Sequence, residues 1–457
     1  MEAFIEILQW INNNIIWGPP TLILLVGTGI FLTIRLGLIQ VFRLPLAFKL
    51  IFKAQNRGSG EITSFAALCT ALAATIGTGN IVGVATAVKT GGPGALFWLM
   101  VAAFFGMATK YTEGVLAIKY RKIDENGVVS GGPMYYITQG LGEKFRPLAI
   151  FFAISAVAAA LLGIGTMTQV NSITDSIYTV TEIPKWISAL IVSVLVTLVV
   201  IGGLKSISKV TSKIVPFMAI LYILICLVIL IVNFDKIPAT VSLIWESAFH
   251  PVAATGGFLG ATVAMAIQYG FARGVFSNEA GLGSAPIASA AAKTNSPGEQ
   301  GLISMTGTFI DSIIICTLTG LTLVITGLWS GGPTGELEGA AMTQAAFATV
   351  LSSWGPILLM ICLALFAFTT ILGWNYYGER CTVFLFGNKG ILPYRILFII
   401  SVFMGGFLTL DFIWLIADLA NGLMAIPNLV ALLLLSGVVA RETRKYQKER
   451  KKLNPLE

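Results

Sequence analysis

The hydrophobic and polar positions of this chain form long apolar runs separated by short polar gaps. Residues 22–32 and 188–203, for example, contain no charged residue and no regular alternation of polar with apolar positions. A transmembrane β-strand would alternate over about 10 residues, whereas a helix needs about 20 mostly apolar residues to cross the hydrocarbon core. The pattern therefore predicts an all-α polytopic membrane protein. We predict eleven transmembrane helices, near residues 20–40, 63–90, 93–119, 147–181, 186–204, 211–233, 255–291, 300–329, 355–378, 391–409 and 412–440.

Composition supports a single membrane domain with lipid as its solvent. The chain has 457 residues, of which 56% are hydrophobic and 11% are charged, outside the usual balance of a soluble domain. Five cysteines show no metal-ligand spacing, and the one histidine, His250, falls in a predicted loop. With one loop histidine and no metal-spaced ligands, we do not expect a membrane-embedded enzyme. There is no P-loop, so we do not expect ATP-driven transport by this chain alone. Because residues 1–17 are acidic and amphipathic, we expect the first span itself to direct insertion.

Lys and Arg residues are unevenly distributed among the predicted loops. Positive residues are retained on the cytoplasmic side of a membrane. With the N-terminus outside and the C-terminus inside, 24 of the 29 Lys and Arg residues lie in cytoplasmic segments, and only Lys89, Lys185 and Lys236 lie outside. The net charge of +7 then describes a basic cytoplasmic face beside anionic lipid, with no motif for a nucleic-acid partner.

Two predicted spans contain clusters of glycine and polar residues, at 75–80 and at 270–281. With the first span set aside, these clusters fall in the first helix of two consecutive five-helix sets, 63–233 and 255–440. Because each set has an odd number of spans, the second set begins on the opposite side of the membrane and is inverted relative to the first. The remaining segments are an N-terminal segment at 1–62, an extracellular loop at 234–254 and a basic cytoplasmic tail at 441–457.

Paired breaks in inverted repeats indicate a transporter site, because exposed half-helix ends offer N–H groups to an anion and carbonyls to a cation. Irregular backbone is tolerated in hydrocarbon only where protein or a cavity satisfies it. The alternative is that these glycines serve helix packing. A channel, a further alternative, would need a continuous polar lining.

Three segments resemble one transporter family. They are GGPMYYITQGL at 131–141, GTGN at 77–80 and SNEAGLGSAPI at 277–287. They are similar to the alanine or glycine:cation symporters, which include the sodium:alanine symporters of the amino acid-polyamine-cation superfamily. The resemblance implies a LeuT-like five-plus-five inverted repeat with one extra N-terminal helix. It also implies uptake of small neutral amino acids with Na⁺ across a prokaryotic plasma membrane, alanine and glycine first and D-alanine as a further candidate.

On that architecture, the N–H groups at the first break would bind the substrate carboxylate, and the second break would offer carbonyls to its ammonium group. Gln169 would add a buried amide, unless it joins helices. Bulky residues near the expected site would limit the substrate side chain, although each is also a candidate core residue. The candidate substrate residues are Thr75, Thr78, Gly79, Asn80, Gln169, Phe271, Arg273, Gly274, Val275, Phe276, Ser277, Asn278, Phe366 and Trp374.

The resemblance also implies a sodium site made of oxygens, which hard cations prefer. Its candidates are the carbonyls of Ala73 and Ile76 with Phe366, Thr369 and Thr370. The two threonines are also able to bond to their own helix. Sodium is favoured over a proton because this shell contains no titratable group.

Several charged residues inside predicted spans are candidates for a functional role or an ion pair. Glu279 is expected to pair with Arg273, with proton carriage or indirect cation contact as alternatives. Lys110 and Glu113 are three residues apart and are expected to form an intrahelical pair. Asp311 and Asp418 receive no role from the sequence.

Overall fold

The structure, a computed structural model, describes residues 2–53, 58–125, 127–252, 260–330, 335–407 and 410–453. The described part of the chain is mainly helical and contains one short hairpin, in which β1 (Lys122–Ile123) pairs antiparallel with β2 (Val129–Ser130). The start of the span predicted at 255–291 and the end of that at 391–409 lie outside the described residues.

The helices of the first half run to the middle of the chain. They are α1 (Glu2–Ile11), α2 (Pro19–Arg35), α3 (Ile39–Phe42), α4 (Leu44–Lys53), α5 (Ser64–Thr75), α6 (Val84–Gly91), α7 (Gly94–Lys119), α8 (Pro133–Tyr136), α9 (Arg146–Leu162), α10 (Met167–Thr181), α11 (Lys185–Val200), α12 (Gly203–Val232) and α13 (Ile237–Phe249). A π-helical segment, Gly79–Gly83, connects the end of the first break to α6.

The helices of the second half complete the bundle. They are α14 (Val263–Asn278), α15 (Ala285–Ser289), α16 (Pro297–Thr308), α17 (Thr317–Ile325), α18 (Gly339–Leu351), α19 (Trp354–Phe386), α20 (Ile391–Met404) and α21 (Leu410–Leu453). Another π-helical segment, Phe309–Cys316, joins α16 to α17. Such segments inside helices are frequently found at functional sites.

Within the described ranges, seven helices, or helices in series, are long and apolar enough to cross a bilayer, and one bent pair, α5 with Gly79–Gly91, forms an eighth candidate. The other three predicted spans correspond to shorter helices: α11, α14 and α20 have 16, 16 and 14 residues. Lipid-facing apolar side chains are common on the outside of the bundle. Leu198, Ile231 and Leu392, for example, are each about two-thirds exposed.

Three features differ from the sequence-based expectations. The span predicted at 147–181 is interrupted between α9 and α10, at residues 163–166. The segment predicted as a loop at 234–254 contains the helix α13. The break predicted to begin at Gly270 is wrong over Gly270–Asn278, which is continuous helix. A Cβ on Gly270 would lie 2.5 Å from the carbonyl oxygen of Ala95, so this glycine permits close packing of α14 on α7.

The two ends of the bundle differ in their charged contacts. At one end, the basic end, the Arg121 guanidinium donates to four backbone carbonyls, those of Ser59, Ala290, Ala292 and Thr294, at 2.6–2.8 Å. These bonds join the hairpin region to the segment before α5 and to the segment after α15. At the opposite end, Lys89 forms an ion pair with Glu338 at 2.6 Å.

We predict that Arg121→Lys destabilises the basic end. A single ammonium group cannot reproduce the planar fork that reaches four carbonyls, and each hydrogen bond from a charged donor contributes about 1.5–3 kcal/mol. The free energy of unfolding should fall by about 2 kcal/mol or more, measured as a lower apparent unfolding temperature of the purified protein. Arg146→Lys, in an exposed pair with Glu143 at 3.8 Å, is the matched control. Equal effects of the two substitutions would contradict this role of Arg121.

Candidate functional site

The first break lies where the sequence predicted it. Helix α5 ends at Thr75, the helix resumes at Gly79, and the two axes differ by 52°. Side chains satisfy the freed backbone groups: Gly77 N donates to Asn80 Oδ1 at 2.8 Å, and Thr78 N donates to Gln169 Oε1 at 3.3 Å. The Thr78 hydroxyl is buried and has no hydrogen-bond partner among the described residues. Buried side chains thus take up the backbone donors of the break, and the Thr78 hydroxyl is buried beside them.

The two glycines of this break face different neighbours. A Cβ on Gly77 would lie 2.4 Å from Thr370 Oγ1 and 3.3 Å from Gln169 Oε1, so only glycine fits there without displacement. A Cβ on Gly79 would instead approach Ser277 Cα at 3.3 Å and the Phe276 ring at 3.4 Å. The break therefore lies between α10 and α19 on one side and α14 on the other.

The second irregular segment begins at the end of α14. Glu279, Gly281 and Gly283 all have positive φ, at 56°, 90° and 83°, a conformation that glycine adopts readily. Asn278 and Ser277 therefore belong to the last turn of a helix, whose final carbonyls have no intrahelical partner. Val275 is a partial exception, because its carbonyl accepts from Glu279 N at 2.8 Å.

The expected pair between Glu279 and Arg273 is wrong. Glu279 accepts from Trp374 Nε1 at 3.0 Å and from the hydroxyl of Ser284. Arg273 instead contacts Asp418 Oδ1 at 3.4 Å. The reason is helical geometry: Arg273 lies within α14, while Glu279 follows the end of that helix and turns toward α19.

A carboxylate that the sequence left without a role lies at the centre of this region. Asp311, in the π-helical segment Phe309–Cys316, is fully buried. Its Oδ1 accepts from Asn80 Nδ2 at 2.7 Å, and its Oδ2 accepts from Ser277 Oγ at 2.9 Å and Ser312 Oγ at 2.8 Å. Asn278 Nδ2 also donates to Ser312 Oγ at 3.0 Å. The only signal in the sequence was an acidic residue within an apolar run, which is a functional candidate by default.

Several expected sodium ligands lie together. Thr370 Oγ1 donates to the carbonyls of Ile76 at 3.3 Å and Phe366 at 3.0 Å, so three oxygens from α19 and the first break meet at one place. Thr369 donates to the same Phe366 carbonyl at 3.0 Å, and its hydroxyl lies 3.4 Å from Met218 Sδ. Ala73 is buried in the last turn of α5. An all-oxygen set of this kind fits a hard monovalent cation.

The expected bulky residues have different surroundings. Phe276 is buried and its ring faces Gly79, as described above, while the Arg273 guanidinium lies 5.5 Å from the centre of that ring. Phe271 contacts Trp98 of α7, with ring centroids 5.8 Å apart, and Phe366 contacts Tyr222 at 5.3 Å. Trp374 is buried against Tyr377 at 5.6 Å. Among these four bulky residues, Phe276 is the residue whose ring lies beside the break.

Two further candidates have contacts that indicate structural roles. The Thr75 hydroxyl bonds to its own helix, at the carbonyls of Ala71 and Leu72. A Cβ on Gly274 would face Leu99 and Ala102 of α7, which indicates a packing role.

A wide cavity of about 760 Å³ opens at the end opposite the basic end. Its wall includes Val82 and Gly83 from the π-helical segment, Ser172 and Ser176 from α10, and Arg273. Ser172 lies one helical turn from Gln169, which contacts the break. The cavity thus approaches the site from one side of the bundle.

On the other side of the site, a buried polar network joins four elements. Glu113 Oε1 accepts from Gly281 N at 3.1 Å, Gly283 N at 3.2 Å and Asn428 Nδ2 at 2.8 Å. Tyr136 donates to Asn428 Oδ1. The expected Lys110–Glu113 pair is present at 3.9 Å. This network ties α7, α8, α21 and the second irregular segment together toward the basic end.

Comparisons with known proteins agree with this arrangement. A family profile described as the sodium:alanine symporter family matches residues 1–456. The chain is 52% identical over 443 residues to a protein named sodium/alanine symporter AgcS from Methanococcus maripaludis, covering 96% of each chain. It is 38% identical over 458 residues to a protein named amino-acid carrier protein AlsT from Bacillus subtilis, covering 100% of this chain and 95% of that one.

A solved structure shares the fold. A manganese transporter from Eremococcus coleocola matches with a TM-score of 0.51 at 15% identity, over 85% of this chain and 82% of that one. The profile and the relatives confirm the family resemblance seen in the sequence. The chain is a multi-pass membrane transporter rather than an enzyme, and it belongs to the sodium:alanine symporter family.

Proposed function

We propose that this protein carries alanine and glycine into the cell together with Na⁺, with D-alanine as a further substrate. The observation that carries the proposal is the break at residues 76–80. Its N–H groups and the Ile76 carbonyl face two separate polar groups within one buried region. The names of the relatives AgcS and AlsT support an amino acid as substrate and sodium as the coupling ion.

The substrate carboxylate binds at the N-terminal end of the second half-helix, at the N–H groups of Thr78, Gly79 and Asn80. The Gln169 amide oxygen now accepts from Thr78 N at 3.3 Å. It occupies the place of a carboxylate oxygen, and the Thr78 hydroxyl is available to a second oxygen. On substrate binding, Gln169 rotates to donate its amide N–H to the carboxylate.

The substrate ammonium group binds at the carbonyls in the last turn of α14, near Phe276, Ser277 and Asn278. The helix dipole places partial negative charge at that end. The Phe276 ring, close to Gly79, limits the side chain to a hydrogen or a methyl group. A small closed apolar wall of this kind disfavours leucine because its larger side chain would overlap the ring.

Sodium binds among the carbonyls of Ala73, Ile76 and Phe366 and the hydroxyls of Thr369 and Thr370. The substrate and this ion share the first break, so each favours the ordered state and each raises the affinity for the other. Access alternates as one five-helix set rocks against the other. The 760 Å³ cavity then belongs to a state open to the outside, with the Glu113 network closing the cytoplasmic side.

This orientation places the N-terminus outside, the basic C-terminal end in the cytoplasm and eleven spans in the plasma membrane of a prokaryote. The clustering of Lys119, Arg121 and Arg395 at one end of the bundle supports it. Lys119 pairs there with Glu442 of α21 at 2.7 Å.

The direct test is uptake of labelled alanine into proteoliposomes with an inward sodium gradient, with an inward proton gradient, and with neither. We expect accumulation with sodium only, inhibited by glycine and D-alanine and unaffected by leucine. Liposomes with the Gly77→Val variant are the matched control, because the added side chain overlaps Thr370. Uptake driven by protons alone would contradict sodium coupling and direct attention to Asp311, a buried carboxylate in contact with Asn80.

A second prediction distinguishes the residues that bind the substrate from those that bind sodium. Thr370→Ala should raise the sodium concentration for half-maximal uptake by about tenfold, in line with the loss of one coordinating group. Asn80→Ala should lower alanine uptake at saturating sodium, because it removes the acceptor that holds Gly77 N.

Thr382→Ala is the matched control for this comparison, since Thr382 lies on the same helix and bonds only to the Gly378 carbonyl in the described structure. Its sodium curve should equal that of the unmodified protein. A Thr370→Ala curve that also equals it would remove Thr370 from the sodium site.

A further inference from the structure

A groove lies at the basic end of the bundle, between α21, the start of α16 and the segment 39–53 that contains α3 and α4 (the α3–α4 segment). Tyr446 of α21 packs closely on α16, because a Cβ on Gly298 would lie 2.6 Å from the Tyr446 ring. Thr443, also in the groove wall, directly follows Glu442, which pairs with Lys119 at 2.7 Å. The lining further includes Ile39, Arg43, Leu46, Leu302, Arg450 and Lys451.

The length of α21 places this groove near the lipid headgroups. The helix has 44 residues, which correspond to about 66 Å at a rise of about 1.5 Å per residue. The hydrocarbon core is about 30 Å thick and takes up about 20 of these residues. The residues of α21 that line the groove start at Thr443, in the last quarter of the helix. They therefore fall beyond the hydrocarbon, at the surface of the membrane.

The groove carries a net positive charge. Arg43 and Arg450 are half-buried and Lys451 is exposed, and neither Arg43 nor Lys451 forms an ion pair with a described residue. Glu299 interacts electrostatically with Arg450 and offsets one of the three positive charges. Around them, residues 441–452 contain seven Lys or Arg and two Glu. An anionic ligand is therefore favoured here.

Apolar surface continues from the groove toward the lipid. Val41 and Phe42 of α3 and Phe52 of α4 are 48%, 70% and 82% exposed. The groove itself has three aliphatic side chains in its lining, those of Ile39, Leu46 and Leu302. A small soluble anion would use only the cationic part of this surface. A molecule with an anionic head and apolar chains complements both parts.

We propose that this groove binds the phosphate group of an anionic phospholipid, whose acyl chains lie along the exposed apolar side chains of the α3–α4 segment. Basic pockets between membrane helices are suited to lipid head groups of this kind. The planar guanidinium of Arg43 donates to two phosphate oxygens, and Arg450 and Lys451 add positive charge at the rim. In the orientation proposed above, the lipid belongs to the cytoplasmic leaflet. Such a site is independent of which solute or ion the protein carries.

The bound lipid links parts of the chain that are distant in sequence. The α3–α4 segment follows the first span, whereas α16 and α21 belong to the second half of the chain. Arg43 interacts electrostatically with the Tyr446 hydroxyl, and Tyr111 of α7 bonds to Thr443 Oγ1 at 2.9 Å. A phosphate between Arg43 and the end of α21 supplies the negative charge that these elements lack. We therefore expect the lipid to stabilise the folded protein.

The test is lipid binding by the purified, delipidated full-length protein in detergent, measured by native mass spectrometry and by the unfolding temperature. The two probes are phosphatidylglycerol, which is anionic, and phosphatidylcholine, which has no net charge. We expect phosphatidylglycerol to bind at least about tenfold more tightly and to raise the unfolding temperature further. Each Lys or Arg near an anionic lipid contributes about fivefold in affinity, so Arg43→Gln should weaken phosphatidylglycerol binding by about that factor.

Lys445→Gln is the matched control, since Lys445 is an exposed residue of the same tail that does not line the groove. Its affinity for phosphatidylglycerol should stay within about twofold of that of the unmodified protein. Lys451→Gln replaces Arg43→Gln if the latter does not elute as a monodisperse protein. Equal losses in the groove variant and in Lys445→Gln would indicate diffuse attraction to the basic end and overturn the proposal. Equal binding of the two lipids would overturn it as well.

Inorganic phosphate and the end of the chain itself are the competing occupants. We expect phosphatidylglycerol binding to be the same in excess inorganic phosphate as in chloride of equal ionic strength, and the same in a variant that ends at Leu453. Specific displacement by inorganic phosphate would identify a site for a soluble anion. Tighter lipid binding by the shortened variant would identify residues 454–457 as the occupant. Either result would overturn the lipid site.

Discussion

The structure depends on one constraint, that backbone polar groups inside a bilayer must find partners within the protein. An intact helix satisfies this by itself, whereas an interrupted one does not. In this chain the interruptions at residues 76–78 and 279–284 are completed by side chains. Gln169, Asn80 and Thr370 satisfy the first interruption, and Glu113 with Asn428 satisfies the second. The Gly77–Asn80 bond is local, whereas the others link parts of the chain that are distant in sequence.

This arrangement makes the polar residues at the interruptions suitable for ligand exchange. A bond such as Thr78 N to Gln169 Oε1, at 3.3 Å, fixes the break while no substrate is present. A carboxylate oxygen makes the same bond at little net cost, because one acceptor replaces another. The same reasoning applies to the Ile76 carbonyl, which accepts from Thr370 here and coordinates a cation in the function we propose. In that proposal, side chains that complete the fold are also the ones that ligands displace.

The sequence predicted the helical class, the apolar spans and the first break, because each leaves a local pattern. Thr75 to Asn80 combine glycine with polar residues inside an apolar run, and this is unusual enough to locate a break. The second break was predicted too early in the chain. Gly270 and Gly274 resemble the glycines of a helix break in sequence, but in the structure they pack against α7. Only the neighbouring helix distinguishes a packing glycine from one that interrupts a helix.

The central position of Asp311 could not be predicted from the sequence, and the reason is different. Its partners Asn80 and Ser277 lie 231 and 34 residues away, and one sequence contains no record of which helices meet. The π-helical geometry of Phe309–Cys316, which places Asp311 and Ser312 together, is likewise a result of tertiary contacts. The expected Glu279–Arg273 pair was wrong because it assumed that closeness in sequence continues through the end of a helix.

The four carbonyls held by Arg121 have a consequence for how the protein is made. One of them, at Ser59, precedes the arginine on the chain, while the other three, at Ala290, Ala292 and Thr294, are synthesised about 170 residues after it. During translation the guanidinium therefore lacks most of its acceptors until the segment after α15 has been synthesised. The junction at the basic end forms only when both halves of the chain are present, so a ribosome that stops before residue 290 releases a first half whose basic end is incomplete and open to quality-control proteases.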